Sequence, residues 1–304
     1  VPHQAHSYGK ELLKDLSAAL SKEFGRGYSV DNLENMRRFY LAYRKSETVS
    51  RISLESISET ASRKLKSPKM HKEYAKFHLS WSHYLILMRI ENEDERNFYE
   101  IEASKCNWSV REVQRQMDSE LYTRLTLSRD KNKVRELSEK GLIIEQPKDA
   151  IKDPYILEFL GLPELSSYSE TQLEEEIINK LEQFLLELGS GFTFVGRQVR
   201  FSFDEEHFRI DLVFYNRILR CFVLIDFKIG KLKHQDLGQM QMYVNYYDRF
   251  VKLDDENNTI GIILCKDKKD TMVEITLPEN NKQIFASKYK LVLPSKADLK
   301  KIIE

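Results

Sequence analysis

The stretch that decides the fold is Phe208 to Lys228, FRIDLVFYNRILRCFVLIDFK. Phe208, Ile210, Leu212 and Phe214 alternate with Arg209, Asp211 and Val213, the period-two pattern of a strand with two unlike faces. Asn216 and Arg217 read as a short connection, and Leu219 to Phe227 as a mostly apolar central strand. Three charges stand in this apolar setting: Asp211, Asp226 and Lys228. Burial of a charge without a partner is costly, so each needs a reason. Asp226 and Lys228 are two apart and share a face. Antiparallel pairing brings Asp211 and Asp226 to one end if the strands splay or the register shifts, and a diverging strand pair leaves room for a cation. Two carboxylates suit Mg²⁺ or Mn²⁺, which keep several waters. The lysine can orient or deprotonate an attacking water and steady charge on a phosphate. A purely structural alternative stays open: a buried Asp226–Lys228 ion pair with Asp211 at a turn.

The flanking segments supply further polar groups. Residues 171–188, TQLEEEIINKLEQFLLEL, read as one amphipathic helix with Leu173, Ile177, Leu181, Phe184, Leu185 and Leu188 as its apolar stripe. Glu174 lies beside that stripe, and Glu175 on the solvated face. In GQMQMYVNYYD (238–248), Gln239 and Tyr243 are four apart on one helical face. The order is helix with Glu, strand with Asp, strand with Asp-x-Lys, helix with Gln-x-x-x-Tyr. It resembles the PD-(D/E)XK nuclease superfamily, and the Gln239–Tyr243 pair resembles the helix motif of its RecB-like branch. With GFTFVGRQVRF (191–201), IDLVFYNRILRCFVLIDFKIGKLK (210–233), LSWSHYLILMRI (79–90) and FYEIEASKCNWSVREVQRQM (98–117), nearly the whole chain is similar to the YhcG-type nucleases of bacteria.

The resemblance implies a restriction-endonuclease-like domain behind a helical one. It implies Asp211 and Asp226 as metal ligands, Glu174 as the helix carboxylate, Lys228 as the catalytic lysine and Gln239 as an accessory residue. Two positions depart from the family pattern. Ile210 stands where proline is common. Asp226 stands where the YhcG type usually has glutamate, one methylene longer.

Composition sets outer bounds. The 304 residues suggest two domains, each with apolar content enough for a core. No apolar run is long enough to cross a bilayer and no signal peptide is visible, so a cytoplasmic location is expected. The three cysteines, Cys106, Cys221 and Cys265, have neither a disulfide framework nor zinc spacing. Cys221 and Cys265 read as small core residues. Net charge is zero, with 48 basic and 48 acidic residues, so any nucleic-acid contact must come from local clusters. Candidates are Lys64, Lys66, Lys69 and Lys72, then Arg197 and Arg200, then Lys228, Lys231 and Lys233; the first group reads equally as a solvated loop.

The N-terminal half is organised by helices. Residues 8–24 and 30–45, then 92–104 and 110–125, read as two helix pairs joined by similar turns, Tyr28-Ser29-Val30 and Trp108-Ser109-Val110. Ser29 and Ser109 are placed to cap the second helix of each pair. The pattern is that of a helix-turn-helix, with Arg111, Gln114, Arg115 and Asp118 on the polar face of the second copy. Arg and Gln there suit bases or phosphates; a self-associating helical bundle is the alternative.

Residues 147–170, with Pro147, Pro154, Gly161 and Pro163, read as a linker carrying a docking element at Tyr155 to Leu160. Later, Thr259 to Cys265, Val273 to Leu277 and Tyr289 to Leu293 read as strands, and 296–304 as a terminal helix. The expected architecture is therefore α+β: an all-helical domain at 8–146, a linker at 147–170, and an α/β domain with a mixed sheet at 171–304. The expected function is a Mg²⁺- or Mn²⁺-dependent endodeoxyribonuclease, plausibly a homodimer, with Arg197, Lys231 and Tyr243 also facing the nucleic acid. Two alternatives remain: a non-cleaving nucleic-acid-binding module, and a nuclease for RNA or branched DNA.

Overall fold

The computed structural model describes residues 2–55, 77–127, 131–162, 168–203, 205–295 and 298–299. The lysine cluster at 64–72 lies outside the described residues, as does most of the expected terminal helix. The chain divides into two compact units after Val110. The division falls before the boundary expected at 146, because residues 111–162 pack with the C-terminal sheet.

The first unit contains α1 (Pro2–Phe24), α2 (Val30–Glu55), α3 (Trp81–Leu87) and α4 (Glu93–Lys105). The α1–α2 turn holds Gly25 and Gly27 at positive φ, and the Ser29 hydroxyl accepts the Asn32 amide at 3.3 Å, an N-cap. Tyr84 and Phe39 pack edge-on, 5.3 Å between ring centres, within a cluster that includes Tyr43, Phe77 and Trp81. Arg96 lies 5.4 Å from the Tyr43 ring centre and donates to the carbonyls of Ala42 and Ile90. Asn92 caps α4, whose first turn is acidic and whose last carries Lys105, both matched to the helix dipole.

The helix expected over 110–125 is instead two, α5 (Val110–Asp118) and α6 (Leu121–Leu127), separated where Glu120 adopts φ +54°. After α7 (Lys131–Lys140) comes the segment expected to be a linker. It enters the sheet as strand β1 (Tyr155–Ile156). The helix expected over 171–188 is also broken, into α8 (Glu170–Asn179) and α9 (Leu181–Leu188). Lys180 leaves helical geometry there, and its ammonium donates to the carbonyls of Phe159 and Leu160.

Strands β2 (Phe192–Phe203), β3 (Glu206–Asn216), β4 (Cys221–Lys231), β5 (Ile260–Asp267) and β6 (Ile284–Lys290) complete one mixed sheet of order β1-β6-β5-β4-β3-β2. β2, β3 and β4 are antiparallel, and β4, β5, β6 and β1 are parallel. The β3–β4 connection is longer than expected, at residues 217–220. The Asn216 side-chain oxygen accepts the amides of Ile218 and Leu219 to close it. Residues 273–277, expected as a strand, fall largely in helix α11 (Asp270–Thr276), and the last strand starts earlier than Tyr289. A short apolar run does not separate the two structures by periodicity.

On one face, Leu173, Ile177, Phe184 and Leu188 of α8 and α9 cover Leu212, Phe214, Ile225 and Phe227. On the other, α10 (His234–Phe250) lays Met240, Tyr243, Val244 and Tyr247 over Ile210, Val213, Leu224 and Ile263. Cys221 and Cys265 are buried in the strands, as expected. The α10 layer closes directly on the backbone of Gly261. A Cβ there would lie 2.5 Å from the Met240 sulfur and 2.9 Å from Val244 Cγ2. Gly261→Ala is therefore expected to lower stability by roughly 1–3 kcal/mol through overpacking, measured by urea unfolding; an unchanged midpoint would mean that α10 does not press on this strand.

Candidate active site

The β3–β4 ladder runs from Asn216 opposite Cys221 to Leu212 opposite Ile225, and then stops. Asp211 and Asp226 are the next residue on each strand, so the splay that the sequence required is present without a register shift. The Asp211 carboxylate replaces the missing ladder partner by accepting the Phe227 amide at 2.8 Å. Asp226 is buried, 4% exposed, with its carboxylate 2.6 Å from the Lys228 ammonium. Lys228 also lies 3.9 Å from Glu170. Burial and then the neighbouring Asp211 charge push Asp226 up to about 7, against the opposing pull of Lys228. Burial alone would lower Lys228, but Asp226 and Glu170 hold it above its ordinary value. The Asp226–Lys228 ion pair of the structural alternative is thus present, while Asp211 sits in a strand rather than a turn.

Glu174 reaches the same place from α8 and is 6% exposed. It does not meet Asp211 directly. The side-chain amide of Gln198 lies between them, donating to Glu174 Oε2 at 2.5 Å and to Asp211 Oδ1 at 3.1 Å. Gln198 achieves this with φ +49° on a strand, where the β2–β3 ladder lacks one pairing between Arg197–Leu212 and Val199–Ile210. Burial raises the Glu174 pKa, and the Gln198 hydrogen bond opposes that rise. Sequence reasoning passed over Gln198 and Glu170. The one available signal for Gln198 was a glutamine set between arginines inside an otherwise alternating strand.

Gln239 and Tyr243 do act together. Gln239 Nε2 donates to the Tyr243 hydroxyl at 2.5 Å, which donates to the Arg209 carbonyl at 2.9 Å. Tyr243 is 1% exposed, so it positions β3 two residues before Asp211 and is not a surface for nucleic acid. Arg115 is also withdrawn from that role. It forms ion pairs with Glu158 at 3.0 Å and Glu187 at 3.2 Å and lies over the Phe159 ring. Gln114 is bonded to Asp118 at 2.7 Å. Arg111, Arg197 and Lys231 are exposed; Arg197 lies near enough to Glu174 for its charge to favour the ionised carboxyl.

The donor set fits a hard divalent cation. Asp211 and Asp226 are close enough for their carboxyls to interact by hydrogen bond as well as by charge, and an oxygen pair of this kind is what Mg²⁺ or Mn²⁺ uses while retaining waters. Among the described residues no three histidine, cysteine or carboxylate side chains converge as a shell, since the Gln198 amide keeps Glu174 apart. No described helix is long and apolar enough to cross a membrane.

Comparison with known proteins gives two family matches: the YhcG PDDEXK nuclease domain over residues 148–304, and the DUF1016 N-terminal domain over residues 2–124. The chain is 40% identical over 299 residues to YhcG of Escherichia coli (strain K12), covering 96% of this chain and 79% of that protein. Among solved structures, a repair endonuclease from Pyrococcus abyssi is 16% identical with a TM-score of 0.28, over 43% of this chain and 50% of that one. EndoMS in its apo form is 14% identical with the same TM-score, over 43% and 48%. The aligned part spans about half the length of those solved chains.

Proposed function

The chain belongs to the YhcG family of PD-(D/E)XK nucleases, and we propose that it is a divalent-metal-dependent deoxyribonuclease. The observation that carries this reading is the carboxylate pair Asp211–Asp226 at the point where β3 and β4 part, with the Lys228 ammonium 2.6 Å from Asp226. Asp211 and Asp226 would hold Mg²⁺ or Mn²⁺, with Glu174 joining once Gln198 releases it. The bound ion would supply Lewis acidity and lower the pKa of a water. Lys228 would orient that water and balance charge on the phosphate. Gln239 and Tyr243 would hold the β3 backbone that carries Asp211. The first unit would bind DNA or bring two copies together.

The test is cleavage of duplex, single-stranded and branched DNA, and of RNA, with Mg²⁺, Mn²⁺ or chelator. Cleavage of DNA with either metal and none in chelator is expected; cleavage of RNA alone would move the substrate assignment. A second reading, a binding module without cleavage, draws on the shorter acid at Asp226 and its closed ion pair with Lys228. Retained DNA binding with no product under any metal would favour it.

A further inference from the structure

Arg200 and Arg209 stand directly opposite each other across β2 and β3. Both are exposed. The next pair, Phe201 and Phe208, turns inward, with Phe201 stacked 4.1 Å from Tyr246 of α10. Alternation therefore places the two arginines on the opposite face of the ribbon. Like charges directly across a strand pair destabilise it. Nothing in the protein cancels this one: among the described residues neither guanidinium forms an ion pair or hydrogen bond. Elsewhere in the second unit, Arg115, Arg124 and Arg220 are each matched to a carboxylate.

The pair also has a definite place relative to the chemistry. Arg209 is two residues before Asp211 on one strand, so the two side chains share a face about 7 Å apart. That is comparable with the step between neighbouring phosphates on a nucleic-acid strand. One strand pair further out, Ser202 and His207 hydrogen-bond at 2.7 Å and continue the polar face.

We propose that Arg200 and Arg209 form a clamp for a backbone phosphate adjacent to the scissile one, delivering a phosphodiester strand to Asp211. The inference rests on the nuclease reading and adds the residues that set the strand's path. The guanidinium pair takes an anion between its two forks, and the anion removes the repulsion that the free protein carries. Recognition of this kind is independent of base sequence.

The experiment is fluorescence anisotropy of labelled duplex DNA, single-stranded DNA and RNA with the intact chain in chelator, from 50 to 200 mM KCl. Wild type is compared with Arg200→Ala/Arg209→Ala and with Arg135→Ala/Arg220→Ala, a control removing equal charge from two exposed arginines paired to Glu139 and Asp255. The clamp variant should bind DNA roughly 10- to 100-fold more weakly at low salt. Its log–log salt slope should fall by about 1.8, near 0.9 per lost phosphate contact, and the control's slope should not move. The melting temperature of the clamp variant without DNA should hold or rise, which a merely structural pair would not allow. An unchanged slope with normal wild-type binding would overturn the clamp and leave the nuclease reading standing. No wild-type binding to any nucleic acid would overturn both. Loss on RNA but not on DNA would overturn the assignment to a DNA strand.

Discussion

Asp211→Asn is expected to abolish metal-dependent cleavage, by at least about a thousand-fold, while leaving the fold as stable as before or slightly more so. Asparagine keeps an oxygen for the Phe227 amide, which Asp211 accepts at 2.8 Å, so the end of the β3–β4 ladder need not reorganise. What it removes is the negative charge that crowds Asp226. A ligand worth several kcal/mol of transition-state stabilisation corresponds to that loss of rate. The same assay on Lys228→Ala should show a comparable loss. Paired measurements of product formation and of thermal unfolding decide the matter. Residual activity within tenfold of wild type for Asp211→Asn would remove Asp211 from the site. Lost activity with lost folding would show instead that the strand end depends on the carboxylate.

The second large effect lies away from the chemistry. Glu187 of α9 is fully buried. It meets Arg124 at 2.6 Å and Arg115 at 3.2 Å and accepts the Ile156 amide at 3.0 Å, while the Lys152 ammonium donates to its backbone carbonyl. Burial would raise its carboxyl, but Arg124, Lys152 and Arg115 outweigh that and hold it at about 2. Glu187→Gln leaves Arg124 buried with its charge uncompensated, and should cost about 3–5 kcal/mol, a fall in melting temperature on the order of 10 °C. The sign of the pH dependence follows from the depressed folded pKa. The contribution is complete above the unfolded carboxyl value of about 4.5 and is lost as pH falls through about 2. Over that window roughly 3 kcal/mol disappears from wild type and nothing comparable from Glu187→Gln. Denaturation curves at pH 5, 4, 3 and 2 should therefore converge; a gap that stays constant would show that Glu187 is held by something other than its charge.

The two regions were legible in the sequence to different degrees. Asp211, Asp226 and Lys228 stood out because charge inside an alternating apolar strand is conspicuous, and strand geometry fixed which residues share an end. Gln239 and Tyr243 followed from helical spacing, although burial makes Tyr243 a strut and not a contact. Gln198 left almost no trace. Its role comes from a positive φ and from two carboxylates on different elements, neither of which a local pattern encodes. Arg115 misled because an arginine on the polar face of a short helix looks the same whether it meets solvent, phosphate or a distant carboxylate. Only tertiary structure brings Glu158 and Glu187 to it. The breaks at Glu120 and Lys180 were hidden for a related reason: apolar periodicity continues through both. The helix at Asp270–Thr276 was mistaken for a strand because five apolar-rich residues fit either period.

The entry of Tyr155–Ile156 as the outermost strand bears on how this catalytic module can be moved between proteins. A fragment cut at the start of α8 would bare the hydrogen-bonding edge of β6, a template for wrongful pairing and aggregation, and would strip Glu187 of all three of its cations. Transplantation, by recombination or at the bench, must therefore carry residues from about 111 onward. The portable piece is longer than the stretch bearing the chemistry, and a junction drawn at the catalytic motifs would yield an insoluble product.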